Sequence, residues 1–135
     1  MPTNEQILGF SNAWYAVGLK SSQRLTLPSG REIRIFPVPF ILAAKIEAFK
    51  DRGKEDYIAS KDLEDLVTLI DGRKEIRAEI TTAPWEVRVF LANELSRLSE
   101  VSNFQQSLPG HLPHHRRNLE GIRFVLDIMR NIPTE

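Results

Sequence analysis

The sequence FILAAKIEAFKDRG (residues 40–53), followed by SKDLEDLVTLIDG (residues 60–72), predicts two consecutive amphipathic helices. In the first helix, apolar residues recur from Phe40 onward until Gly53 stops it. The second helix has a clear start, because Ser60 is a good N-cap residue, and a clear end at Asp71-Gly72. Its apolar residues share one face: Leu63, Leu66, Val67 and Ile70.

The residues before this pair of helices predict one more helix and a β-hairpin. Apolar side chains recur at near-helical spacing over Asn4–Leu19. Residues 24–27 and 31–36 alternate polar and apolar side chains around Pro28-Ser29-Gly30, which is typical of a hairpin turn. Isolated hairpins are marginal, so we expect these strands to join a larger sheet or to pack on helices.

The residues after the pair predict a helical remainder. Residues 73–80 favour a short helix, and Pro84 introduces a longer one that frays near Ser102. The prolines and glycine of Leu108–Pro113 indicate a loop, and Leu119–Met129 a last helix. The predicted fold is α+β but mostly helical, with five or six helices and one β-hairpin. We expect a single domain over residues 1–135, with residues 73–135 as a helical extension.

The composition excludes several classes of protein. The chain has no cysteine, which rules out disulfide scaffolds, thiol nucleophiles and zinc fingers. It has no run of about 18 apolar residues and no signal-peptide pattern, so we expect a cytoplasmic protein without a membrane segment. Eighteen basic residues balance 18 acidic ones. Net neutrality gives no reason to expect strong nonspecific binding of nucleic acid.

The charges are nevertheless unevenly distributed. Residues 1–54 carry eight basic and four acidic side chains, whereas residues 55–100 carry six basic and 11 acidic ones. Such an imbalance can coat complementary faces of one fold or form a site for a partner. It does not decide between these alternatives.

Lys45 is the most unusual residue of the first helix. Apolar residues lie one turn before and one turn after it, so the spacing places a cation within an apolar stripe. The ammonium can reach solvent at the edge of the stripe, as long lysine side chains often do. Alternatively, it meets a phosphate or a carboxylate.

Asp62 and Asp65 lie three residues apart on the second helix, so both project from one side of it. Acidic groups in a first helical turn complement the helix dipole, which is a sufficient structural reason for both. Without further context, this structural interpretation is the favoured one.

Together these residues resemble the later motifs of the AbiEii-like nucleotidyltransferases, a family of abortive-infection and toxin–antitoxin proteins. In that family an apolar helix carrying a lysine, then an alanine and an arginine, leads to a helix with a basic-Asp-x-x-Asp motif. The resemblance covers roughly residues 30–72. Six positions match the pattern: Lys45, Ala48, Arg52, Lys61, Asp62 and Asp65.

The resemblance implies a role for five of these residues. Lys45 would contact nucleotide phosphates or orient the acidic cluster, Asp62 would be the later catalytic carboxylate, and Asp65 would support it. Arg52 and Lys61 would be substrate-binding residues. It also implies a fold like the second half of a nucleotidyltransferase.

The chain departs from the family at its most diagnostic motif. The Asp-x-Asp strand and the glycine-rich helix that hold metal and nucleotide are absent, and no Asp-x-Asp or Glu-x-Asp sequence lies on a predicted strand. We therefore expect a split, truncated or internally started protein that is inactive alone and has no metal site or cofactor of its own. Mg²⁺ and a nucleoside triphosphate are implied only for a completed site. The partner would be an N-terminal nucleotidyltransferase half, or a second copy bound through the hairpin edge.

Two other functions remain open. The same residues could form a structural salt bridge in a noncatalytic interaction module, either a decayed remnant or an antitoxin-like protein. RNA or other nucleic acid is a weaker possibility, supported by basic residues in the first third: Lys20, Arg24, Arg31 and Arg34.

The remaining aromatic and histidine residues favour structural or surface roles. Trp14 and Tyr15 could stack on bases, but aromatic residues on an apolar helix are more typical of a core. We expect His111, His114 and His115 to lie in a surface loop, and the sequence does not show whether they bind a ligand.

Overall fold

The computed structural model of the chain describes Trp14 and residues 23–35, 37–52 and 56–134. The helix predicted over Asn4–Leu19 lies outside these residues, apart from Trp14. Most of the described part is helical, with a short 3-10 turn before the last helix. The α-helices are α1 (Val38–Arg52), α2 (Lys61–Gly72), α3 (Ile76–Thr81), α4 (Trp85–Ser99), α5 (Ser102–His111) and α6 (Leu119–Arg130), and the 3-10 turn is His114–Arg116.

Two four-residue segments before α1 are extended. β1 (Gln23–Thr26) pairs antiparallel with β2 (Glu32–Ile35), and Gly30 takes a positive φ of 85° in the turn between them. In the described part of the chain the two strands pair only with each other, and no residue of 23–35 whose burial is described belongs to the core. They therefore form no sheet layer.

The predicted α+β fold, with a β-hairpin as its β part, is therefore wrong. The packed part of the described chain is helical. The alternating pattern predicts extended backbone, which the structure describes at Gln23–Thr26 and Glu32–Ile35, but alternation reports only which side chains share a face. Alternation does not show whether other elements pack on that face. A pair of strands becomes a layer of a fold only when other elements pack on it.

The boundaries of α2 follow the local signals in the sequence. The side chain of Ser60 accepts a hydrogen bond from the backbone N–H of Leu63 at 3.2 Å, which satisfies one of the free N–H groups of the first turn. α6 begins in the same way, because Asn118 Oδ1 accepts from the N–H of Gly121 at 2.8 Å. Both helices therefore start where a capping side chain is available.

The loop predicted over Leu108–Pro113 is wrong in its first half. α5 continues to His111 and contains Pro109. Phe104, Leu108 and His111 are buried on one face of α5, and this face anchors the helix against the core. The helix ends two residues after Pro109, so the lost N–H costs one bond near a terminus rather than in the middle of a long helix.

One apolar core is shared by the helices. α1 packs on α2 and α4, α6 packs on α4 and α2, and α5 packs on α2. The helices after residue 72 thus cover α1 and α2 rather than extending away from them. No helix within the described ranges is long and apolar enough to cross a membrane. The largest fully buried side chains include Leu42, Leu66, Ile70, Leu91, Phe104 and Met129.

Candidate functional site

Lys45 lies on α1 at the border between the core and solvent. Residues on the core side of the same helix, such as Leu42 and Ile46, are almost completely buried. The Lys45 side chain retains 31% of its exposure, so its stem runs along the apolar stripe while its ammonium reaches the edge. This geometry places the charged group at the junction of α1 and α2.

α2 turns two carboxylates toward that junction. Its apolar face is buried against the other helices through residues such as Leu63 and Leu66. Asp62 and Asp65 flank this face, and their side chains are 12% and 31% exposed. The capped first turn holds the backbone of both residues in the helical conformation, which fixes the direction in which the carboxylates point.

The lysine and both aspartates meet in one cluster. Lys45 Nζ lies 2.8 Å from Asp65 Oδ2 and 3.7 Å from Asp62 Oδ1. Lys61 Nζ approaches the same carboxylate from outside, 3.4 Å from Asp65 Oδ1, and also lies 3.5 Å from Glu64 Oε2. We call Lys45, Lys61, Asp62 and Asp65 the α1–α2 charge cluster.

The electrostatics of the cluster centre on Asp65. Burial raises the pKa of this carboxyl, but the hydrogen bonds and charges of Lys45 and Lys61 outweigh it, so the pKa of Asp65 lies below its ordinary value. The hydrogen bond and charge of Asp65, together with Glu64, raise the pKa of Lys61 above its ordinary value. Near neutral pH Asp65 is therefore anionic and Lys61 is cationic.

The structure brings together four of the five residues that the resemblance singles out. Lys45 contacts both Asp62 and Asp65, whereas Lys61 lies on the outer side with 75% of its side chain exposed. Arg52 is the last residue of α1. Its side chain lies outside the part that the structure describes.

The cluster does not form a magnesium site. Mg²⁺ requires nearly octahedral oxygen ligands at about 2.0–2.1 Å. Here both oxygens of Asp65 are engaged by ammonium groups, Oδ2 by Lys45 and Oδ1 by Lys61. Among the residues with described positions, no group of three or more His, Asp or Glu side chains is arranged to hold a metal. The occupied oxygens are the reason that the Mg²⁺ implied by the resemblance does not fit.

A nucleotide phosphate fits the two lysines better than a metal fits the two aspartates. Ammonium groups bind phosphate oxygens as point charges, and both lysines carry partly exposed heads at the same edge. A phosphate would have to compete with Asp65 for each of them. The two lysines of the cluster therefore have the charge that a phosphate contact needs, but both are paired with Asp65.

Sequence reasoning missed a buried contact behind α2. The Nε2 atom of His111 lies 2.7 Å from the carbonyl oxygen of Tyr57, and His111 is only 7% exposed. His111 is thus not in a surface loop, and that prediction is wrong for it because α5 carries it into the core. His114 and His115 are exposed in the 3-10 turn. The apolar spacing from Phe104 through Leu108 was the available signal.

A second network also has no signature in the sequence. Arg116 pairs with Asp71 at the end of α2, with Nη2 2.9 Å from Oδ1, and its guanidinium lies over the ring of Phe124. Arg116 and Asp71 are 45 residues apart in the sequence, so no local pattern links them.

The aromatic and basic residues considered for nucleic-acid binding differ in their exposure to solvent. Trp14 is partly buried against the core, with its ring centroid 4.9 Å from that of Phe90, as its structural interpretation predicts. Arg24 and Arg31 are exposed. Tyr15, Lys20 and the side chain of Arg34 lie outside the described part.

Comparisons with known proteins do not supply a family. Neither a scan against protein-family models nor searches of curated proteins and of solved structures found a match.

Proposed function

We propose that this chain is the later part of an AbiEii-like nucleotidyltransferase and contributes the α1–α2 charge cluster to an active site completed by another segment or polypeptide. The observation that supports this proposal is the convergence of Lys45 with Asp62 and Asp65. Two helices place the Lys45 ammonium within 3.7 Å of a carboxylate oxygen of each aspartate, at an edge that remains partly open to solvent.

In the completed site, the lysine would act on phosphate charge. Phosphoryl-type transfer depends mainly on positioning and on cations that neutralise charge developing on phosphate oxygens. Lys45 would exchange its contact with Asp65 for a phosphate oxygen of a nucleoside triphosphate. Asp65 would keep Lys45 extended toward the edge until the nucleotide arrives.

The aspartate beside it has a separate part in the proposal. Asp62 is the more buried of the two carboxylates, with 12% of its side chain exposed. We assign it to the acceptor side, where a carboxylate can orient a hydroxyl group. Metal ligands would come from outside this cluster, because the resemblance places them on the Asp-x-Asp strand that this sequence lacks.

The proposal also implies a cellular location and a partner for the chain. Chemistry that consumes nucleoside triphosphates belongs in the compartment that supplies them, so we place the protein in the cytoplasm. The partner is a polypeptide or segment that presents carboxylates for a metal. RNA is a candidate acceptor rather than a surface ligand.

The first test measures transfer by the chain as it stands. The chain is incubated with Mg²⁺ and each radiolabelled nucleoside triphosphate, with and without a mixture of RNA acceptors. We expect no labelled product, because the cluster has no place for the metal. Efficient transfer by the chain alone would contradict the proposal that its site is incomplete.

A noncatalytic interaction module is the second candidate, and one distance favours it. Lys45 Nζ lies only 2.8 Å from Asp65, which is the geometry of a strong salt bridge between two helices. In that case the pair Lys45→Met with Asp65→Leu should preserve both folding and partner binding, since apolar replacement of an ion pair is often neutral. Loss of transfer in the completed protein, with folding intact, would instead support the catalytic proposal.

A further inference from the structure

A half-open cavity of about 170 Å³ lies near the α1–α2 charge cluster. It is bounded by α1, by the segment that leads into α2 and by the end of α4. Ile46 and Leu63 line it, and each is the sequence neighbour of a cluster residue. Its apolar walls are Ile46, Phe49, Tyr57, Leu63, Leu98 and Val101.

Two of the wall residues, Phe49 and Tyr57, are held by contacts with each other and with the core. The rings of Phe49 and Tyr57 pack with their centroids 5.2 Å apart. The backbone of Tyr57 is held in turn by the buried imidazole of His111, whose Nε2 lies 2.7 Å from the Tyr57 carbonyl oxygen. α1 and α2 are fixed by the core. These contacts limit the number of side chains that a ligand would have to order, which reduces the entropic cost of binding.

Among the described residues that line the cavity, two are basic and one is acidic. Lys50 Nζ lies 3.4 Å from Glu94 Oε1, and Arg97 Nη1 lies 3.8 Å from the same oxygen. One carboxylate thus faces two cations. The Lys50 and Arg97 side chains are 47% and 73% exposed, whereas Glu94 is 16% exposed, so the cations lie on the solvent side of their shared partner. A second carboxylate at this rim would balance the charges.

Size and charge together define the ligand. Apolar cavities of about 150 Å³ hold molecules the size of benzene, so this one takes an apolar group of about six to eight carbons. Ligand sites typically combine apolar walls with a few polar groups that fix orientation. We propose that the cavity binds a small amphipathic carboxylate, with its apolar body between α1 and α4 and its carboxylate on the solvent side of Lys50 and Arg97, away from Glu94.

The direct test is a calorimetric titration of the full chain with octanoate, with 1-octanol as the uncharged ligand of equal chain length. We expect saturable binding of one octanoate per chain and binding of octanol weaker by about two- to fivefold, since exposed ion pairs contribute up to about 1 kcal/mol. Absence of saturable octanoate binding would overturn the proposal. Equal affinity for the two ligands would overturn the assignment of a carboxylate.

Two variants locate the binding within the chain. Arg97→Glu reverses a rim charge on an exposed side chain and should weaken octanoate binding by at least about fivefold, whereas Arg123→Glu, an exposed reversal on α6, should leave it unchanged. Leu98→Trp should fill the cavity and abolish binding, with unfolding followed by circular dichroism. If Arg97→Glu and Arg123→Glu bind octanoate equally, the rim is not the site.

Discussion

Replacing Lys45 by methionine tests whether the α1–α2 charge cluster holds its two helices together. Methionine keeps the apolar stem in place and removes only the ammonium, which lies 2.8 Å from Asp65 and 3.7 Å from Asp62. Asp65 keeps its contact with the largely exposed Lys61 at 3.4 Å. The variant therefore isolates the charge of Lys45 from its packing.

The expected loss of stability lies between two known limits. Exposed ion pairs contribute about 0.2–1 kcal/mol, and removing one partner of a buried pair costs about 3–5 kcal/mol. Lys45 and Asp65 are each 31% exposed, and Asp62 is more buried. We therefore expect Lys45→Met to lower the free energy of unfolding by about 1–2 kcal/mol.

The assay is urea-induced unfolding at neutral pH, followed by circular dichroism. Lys74→Met is the matched control, because Lys74 is exposed, and its replacement should change stability by less than about 0.5 kcal/mol. A double-mutant cycle with Asp65→Asn should give a coupling energy of about 1 kcal/mol. A change in Lys45→Met no larger than in Lys74→Met, without coupling, would show that Lys45 merely extends into solvent.

Three further changes test the local physics of the fold. Ser60→Ala removes the cap of α2 and should cost about 1 kcal/mol in urea unfolding; no loss would show that the cap bond is not needed. Gly121→Ala should destabilise by more than about 2 kcal/mol, because a Cβ there would collide with the carbonyl oxygen of Arg116, whereas Gly110→Ala meets nothing within 4 Å and should be neutral or slightly stabilising. Equal effects of the two would contradict the close approach. The pKa of Asp65 is lowered in the folded state, so its stabilisation is present above its ordinary value of 3.8 and is lost as the pH falls below it. The stability of Asp65→Asn should therefore decrease less than that of the wild type over this acid range, and parallel curves would refute this.

The parts of the fold that could be predicted are those with a local cause. α2 begins and ends where its cap residue and its terminal glycine indicate, because capping is a contact between residues three apart. The periodic spacing of Leu63, Leu66 and Ile70 also gave its buried face correctly. The same physics placed Asp62 and Asp65 on one side of the helix.

The errors arose where tertiary contacts outweighed a local signal. Pro109 and Gly110 are helix breakers by propensity, yet α5 includes both because Phe104 and Leu108 are buried by the core. The wrong prediction of a surface position for His111 followed from the wrong prediction of a loop there. The α+β class failed for a related reason, since alternation in residues 24–36 carries no information about what covers the strands.

The candidate site was only partly accessible from the sequence. An unusual lysine within an apolar stripe indicated that a partner must exist, and spacing indicated two carboxylates on the next helix. The distances among Lys45, Asp62 and Asp65 depend on how α1 crosses α2, which no local pattern specifies. The rim formed by Lys50, Glu94 and Arg97 depends on a similar long-range crossing, which no local pattern indicates.

The most direct measurement of the central claim is nucleotide transfer by a completed protein. The DNA upstream of the Met1 codon is read for a glycine-rich helix and an Asp-x-Asp strand, and the joined protein is assayed with Mg²⁺ and labelled nucleoside triphosphates. We expect transfer that falls by at least about 100-fold in Lys45→Met and in Asp62→Asn, as is typical when a charge-stabilising group is removed. Transfer that is undiminished in both folded variants, or an upstream region without such a segment, would contradict the proposed composite site.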